Sequence, residues 1–164
     1  MKEKFNIGDT KGLNICIKGF DPGNMTGYCE LIVELRTGTI QNYFFDQFPN
    51  MEKVVEYLVP VKNHHTICIY ESFVPRSVYV QYQDAIETIG AIKCIGKVRN
   101  IPLFPQPPAI QAIVKEWPIK DKYSKILSHS GSALRHVINF LYVEMNIRKW
   151  PDFSYDEQSR VITE

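Results

Sequence analysis

Two carboxylates stand where a chain could use them. Asp21 closes an apolar run, Leu13 to Phe20, at the point where Pro22 and Gly23 force a turn. Glu71 closes a second, Thr66-Ile-Cys-Ile-Tyr70. A carboxylate that ends a buried strand is costly unless it is solvated, paired or holding a cation. Two such groups side by side raise one another's pKa unless something positive sits between them. Hard divalent cations meet that need, and Mg²⁺ typically takes one or two protein carboxylates with water and phosphate. The alternative is a pair of solvated loop acids. A third element is Ser128-His-Ser-Gly-Ser-Ala-Leu-Arg-His136, which brings His129, Ser132, Arg135 and His136 to the start of a helical segment. Imidazoles beside the free N–H groups of a first turn make a surface for an anion or a metal. The plainer alternative is that Ser130 or Ser132 caps the helix and His136 lies on the surface. Between these elements runs Glu71-Ser-Phe-Val-Pro-Arg76. Phe73 and Val74 beside Pro75, with Arg76 next to them, suit stacking on bases while pairing phosphate. Phe73 folded back into the core is the competing reading.

The elements that hold these residues follow from period and punctuation. Leu13, Ile15 and Ile17 alternate with Asn14, Cys16 and Lys18, which predicts a strand ending at the Asp21 turn. Tyr28–Arg36 and Ile40–Phe45 are two more β-rich runs, joined through Thr37-Gly38-Thr39 as a hairpin. Apolar residues at 51, 54, 55 and 58 then predict a helix that ends at Pro60. Thr66–Glu71 is a short buried strand, and the stripe at 82, 85, 86, 89, 92 and 95 predicts a second helix. Ile101–Phe104 is a short strand that Pro102 assigns to a start or an edge, followed by a short helix over 109–115. A last helix, Ser132 to Ile147, carries its stripe at 134, 137, 138, 141 and 145. A meander followed by alternating helices and strands implies a mixed α/β sheet with helices on its faces. In such sheets the carboxyl ends of neighbouring parallel strands are the usual place for a ligand.

With 164 residues, 45% hydrophobic and 23% charged, the chain is sized for one domain with a real core, residues 1–149, and a loosely attached tail over 150–164. No apolar run approaches a membrane span and the N-terminus has no stretch of signal-peptide type, so a soluble, cytoplasmic protein is expected. Cys16, Cys29, Cys68 and Cys94 form no C-x-x-C pair and read as buried, reduced thiols. The net charge of +1 hides an asymmetry. Residues 1–92 carry 8 Lys+Arg against 11 Asp+Glu, whereas 93–149 carry 10 against 3. If those ten cations, Lys120, Lys122, Lys125 and Arg135 among them, share a face, that surplus is an electrostatic footprint for a polyanion; otherwise it is the solvated face of helices.

Four segments in order resemble the RuvC-type Holliday junction resolvases. Ile17-Lys-Gly-Phe-Asp-Pro-Gly-Asn-Met-Thr-Gly27 resembles their opening strand and D-P-G-x-x-x-T-G turn. Tyr70-Glu-Ser-Phe-Val74 resembles the second motif, and Leu103-Phe-Pro-Gln-Pro-Pro-Ala109 the passage before the last helix, particularly in phage-type members. His129-Ser-Gly-Ser-Ala-Leu-Arg-His136 resembles the H-x-x-D-A-x-R-H segment. The resemblance implies an RNase H-like fold with a five-stranded sheet ordered 3-2-1-4-5 and helices on both faces. It also implies a homodimer and Mg²⁺- or Mn²⁺-dependent hydrolysis of branched or four-way-junction DNA, of the kind used in recombination and repair in a bacterial or phage-infected cell. Asp21, Glu71 and His129 fall on the family's metal-binding positions, and two ions would clamp the scissile phosphate. Phe73 falls near its junction-probing aromatic.

One position departs from the pattern. Where the family carries its last catalytic aspartate, this chain has Ser132. A neutral hydroxyl is a weak metal ligand, so the second ion loses an anionic partner. Glu144 is no substitute, lying about 18 Å further along a helix at 1.5 Å per residue, and Asp121 falls in an unplaced connection. The departure sets a catalytically impaired branched-DNA-binding or structural protein beside the nuclease as a second expectation.

Overall fold

A computed structural model describes residues 13–59, 65–72, 82–110, 114 and 128–148. Among them, β1 (Asn14–Asp21), β2 (Thr26–Glu34) and β3 (Thr39–Phe48) form the meander, and α1 (Met51–Leu58) leads to β4 (Thr66–Glu71). α2 (Gln83–Arg99), β5 (Leu103–Gln106) and α3 (Ser128–Val143) complete the described elements. The five strands make one sheet in the order β3-β2-β1-β4-β5. β1 runs antiparallel to β2 and parallel to β4, and β4 is parallel to β5. The mixed sheet, its order and its helices agree with the RNase H-like expectation.

Local chemistry explains the joints. The β2–β3 hairpin turns at Gly38, whose φ of +66° lies in the left-handed region that favours glycine. The Glu34 carboxylate accepts from the backbone N–H groups of Arg36 and Thr37 and from the Thr37 hydroxyl, which fixes the turn. Asn50 caps α1 by accepting from Lys53 N at 3.2 Å. α2 stops at Asn100, in the left-handed conformation, whose N–H returns to Gly96 and Lys97 carbonyls.

Alternation along the strands divides the core in two. Ile15, Ile17, Leu31, Val33, Ile67 and Ile69 face α3, where they meet Leu134, Val137, Ile138 and Leu141. Phe20, Tyr28, Phe48, Cys68 and Tyr70 face the opposite way, with Val54 and Leu58 of α1 and Ile89 and Ile92 of α2. Because side chains alternate with period two, Asp21 and Glu71 point to the same side as Ile17 and Ile69, under α3.

The structure corrects three sequence expectations. The last helix spans Ser128–Val143, four residues earlier at each end than its apolar stripe predicts. Its polar opening packs rather than leads in: the Ser130 hydroxyl is buried and donates to the Asp46 carbonyl at 2.6 Å. At the far end Asn146 takes a left-handed φ of 56° and Ile147 N returns to the Leu141 carbonyl. The edge strand begins at Leu103 rather than Ile101, while Pro102 accepts from Cys68 N. All four cysteines are free, but only Cys29 and Cys68 are buried; Cys16 is half-buried and Cys94 is exposed on α2. Most of the short helix expected over 109–115 and the whole tail over 150–164 lie outside the described residues. No described helix is long and apolar enough to cross a membrane.

Candidate active site

Three strand ends lie side by side. Register pairs Phe20 with Tyr70 and Glu71 with Gln106, so Asp21, Glu71 and Gln106 stand at neighbouring ends of β1, β4 and β5. Ser72 reinforces the β4–β5 edge, its N–H donating to the Gln106 carbonyl at 2.8 Å. α3 crosses the same face. Its Ser132 hydrogen-bonds Asp21, and His136 Nε2 lies 2.9 Å from Glu71 Oε2. The geometry follows from two pitches: four residues of helix rise about 6 Å, close to the roughly 4.8 Å between neighbouring strands. Residues i and i+4 of a crossing helix can therefore address two adjacent strands.

Glycine lets the helix come that close. A Cβ on Gly27, which pairs with Asp21 across the β1–β2 ladder, would lie 1.9 Å from the His129 carbonyl oxygen. A Cβ on Gly19 would lie 2.5 Å from Val137 Cγ2 and 3.1 Å from the Ala133 carbonyl. Side chains at either point would lift α3 away from the acids.

Electrostatics mark Asp21 as the stressed group. Burial, and then the Glu71 carboxylate, push its pKa from the ordinary 3.8 up to about 6. The imidazoles of His136 and His129 and the hydrogen bond from Ser132 oppose that rise without cancelling it. This is the imbalance that a hard cation between two carboxylates would relieve. The donor set fits one such ion: two oxygen-bearing acids on adjacent strands, with water completing the shell. It does not supply a second fully anionic position, because Ser132 is neutral. Among the described residues, no three His, Cys, Asp or Glu side chains converge as a metal site.

The remaining candidates fall as follows. His129 sits inside the first turn of α3, not ahead of it, and is exposed, near enough for its charge to act on Asp21. Arg135 is half-buried, its Nη2 donating to Ser132 Oγ at 2.8 Å. Phe73, Arg76, Lys120, Lys122 and Lys125 lie outside the described residues. His136 is not the surface residue that the helical wheel allowed: it is fully buried. Its Nδ1 lies 3.2 Å from Gln106 Oε1, a residue that the sequence reading passed over. A signal was present in both cases. Ala133, Val137 and Phe140, at i−3, i+1 and i+4 from His136, are apolar, and Gln106 shares the parity of Phe104, one strand from Glu71.

No protein-family profile and no curated protein sequence matches the chain. Solved structures do. RuvC from T. thermophilus, in complex with a Holliday junction substrate, superposes with a TM-score of 0.57 at 14% identity, covering 82% of this chain and 98% of that one. This chain has a RuvC-type fold. A further Thermus thermophilus RuvC structure gives 0.52 at 16% identity, covering 82% and 99%. Fowlpox virus resolvase, in complex with substrate Holliday junction DNA, gives 0.56 at 14% identity, covering 76% and 97%. The RuvC fold thus extends over nearly the full length of these neighbours and most of this chain.

Proposed function

We propose that this protein is a divalent-metal-dependent endonuclease selective for four-way or otherwise branched DNA, acting through the Asp21–Glu71 edge. The observation that carries the reading is the pairing of these acids under α3, on a sheet of the RuvC type. Mg²⁺ or Mn²⁺ held by Asp21 and Glu71, with His129 at the rim, would supply the charge that draws in a phosphodiester and lowers the pKa of a bound water. The chain's own residues do the rest. Asp21 and Glu71 would hold the ion at the strand ends, and Ser132 holds the Asp21 carboxylate by donating to it. Arg135, tied to Ser132, adds positive charge beside the scissile group. Arg76, Lys120, Lys122, Lys125 and Phe73 are assigned to the DNA path, the cations on phosphate and the ring on an unstacked base. Paired cuts across a four-way junction need two sites, so the active species is a two-fold homodimer.

A second reading has one specific observation in its favour. Ser132 replaces an acid at the family's metal-binding position, which favours a branched-DNA-binding protein with impaired cleavage. Cleavage of a synthetic four-way junction in Mg²⁺ and in Mn²⁺, by the chain and its Ser132→Asp variant side by side, separates the two. Cutting by both supports the nuclease. Cutting by Ser132→Asp alone supports the binding protein, and binding without cutting by either refutes the nuclease.

A further inference from the structure

Between Ala133 and Leu141, one buried polar side chain interrupts the apolar face of α3. Residues Ala133, Leu134, Val137, Ile138, Phe140 and Leu141 are all buried, and His136 among them has no exposed surface. A buried ring nitrogen without a partner is costly, so an imidazole persists there only if both nitrogens are met. They are. Nε2–H donates to Glu71 Oε2 at 2.9 Å, and Nδ1 lies 3.2 Å from the Gln106 side-chain amide, whose NH2 group it can accept from. Gln106 is itself nearly buried and is held in register beside Glu71 by the β4–β5 ladder. Three elements, β4, β5 and α3, thus meet at one imidazole.

We propose that His136, braced by Gln106, is a positioning residue that fixes the Glu71 carboxylate for a cation shared with Asp21. The inference rests on the metal-dependent reading above and deepens it. A glutamate at a strand end has three rotatable bonds. Tying Oε2 to a ring that cannot move within a packed helix face removes that freedom before any ion arrives. Asp21 has a different support, the hydroxyl of Ser132 one turn earlier on the same helix. α3 therefore orients both acids, each from its own residue. Outer partners of metal-binding carboxylates and imidazoles typically contribute 10–100-fold to metal affinity.

The test is Mn²⁺ binding to the whole chain without DNA, read from the electron paramagnetic resonance of free Mn²⁺. Junction affinity in chelator serves as the independent measure of fold. His136→Leu keeps the volume and removes both contacts; its Mn²⁺ dissociation constant should rise about 10–100-fold while junction affinity stays unchanged. His136→Gln, which retains a donor near the Nε2 position, should recover most of that loss. Gln106→Leu should weaken Mn²⁺ in the same direction by a smaller factor. Should His136→Leu not fold, the Gln106→Leu and His136→Gln pair decides alone. Wild-type affinity in His136→Leu or Gln106→Leu, or a His136→Gln as weak as His136→Leu, overturns the positioning role. A wild-type chain that takes up no Mn²⁺ overturns that role and the metal reading together. A wild-type chain that binds Mn²⁺ but cuts no junction removes the nuclease and leaves the positioning role standing.

Discussion

Replacing Asp21 by Asn should stabilise the metal-free protein while abolishing the proposed junction cleavage. The carboxyl is raised from 3.8 to about 6 by burial and by Glu71. For an acid whose folded pKa is raised, the protonated form is favoured by the fold, so ionisation works against folding. Below about pH 4 the group is protonated in both states and contributes nothing. The cost grows from pH 4 to 6 and is complete above 6. At 1.36 kcal/mol per pKa unit it reaches a ceiling of about 3 kcal/mol. In a chain of this length, 1 kcal/mol moves the melting temperature by about 2–4 °C. Asn is isosteric and uncharged, and its amide can still meet Ser132. Thermal unfolding in chelator at pH 8 should therefore show Asp21→Asn melting up to about 6–12 °C above wild type. The gap should close on acidification to pH 4, and Mn²⁺ should raise the wild-type midpoint but not that of the variant. An Asp21→Asn midpoint at or below wild type at pH 8, or a gain that persists at pH 4, would refute the placement of Asp21 as a half-buried, repelled carboxylate.

Other outcomes follow from the same geometry. Gly27→Ala drives a methyl into the His129 carbonyl; chemical denaturation should show a loss of about 1–3 kcal/mol, with weaker Mn²⁺ binding because α3 must lift. On the opposite face, Lys18 is buried against the Tyr28 hydroxyl and the Glu30 carboxylate at 2.9 and 2.5 Å. Lys18→Met should destabilise by about 1–3 kcal/mol in urea titrations at pH 7 by removing the cation from Glu30, which keeps only the Tyr28 hydroxyl and Cys16 as partners. Pairing with Lys18 is the main influence holding the Glu30 pKa below its ordinary 4.5 against desolvation, so the Lys18–Glu30 contribution should disappear as acid protonates Glu30. Neutralising Lys120, Lys122 and Lys125 together should weaken junction binding and flatten its dependence on salt, the log–log slope falling by up to about 3. An unchanged slope would remove those residues from the DNA path.

What the sequence made legible was whatever is local. β4 occupies the predicted residues, Thr66–Glu71, because a run of β-branched residues ended by an acid carries its own boundaries. β1 shifts by a single residue for the same reason, and both acids could be placed at strand ends. The start of α3 was obscured because Ser128-His-Ser-Gly-Ser132 has the composition of a lead-in. Its helical state depends on distant partners: the Asp46 carbonyl under Ser130, and the gap that Gly19 and Gly27 leave in the sheet. His136 is the clearest case. Its partners are 30 and 65 residues away in the chain, and only the parallel pairing of β4 with β1 and β5 brings them under one helical turn. Propensity has no access to such a contact. The pattern of apolar residues around His136 could have indicated burial, though not the carboxylate it meets.

The most direct test of the central claim is cleavage of a four-way junction by wild type and Asp21→Asn, with binding followed in parallel. The account predicts paired cuts by wild type that require Mg²⁺ or Mn²⁺ and stop in chelator. Asp21→Asn should bind the junction with near-wild-type affinity and leave it intact. Cutting by Asp21→Asn at the wild-type rate, or cutting by wild type that continues in chelator, would contradict the account.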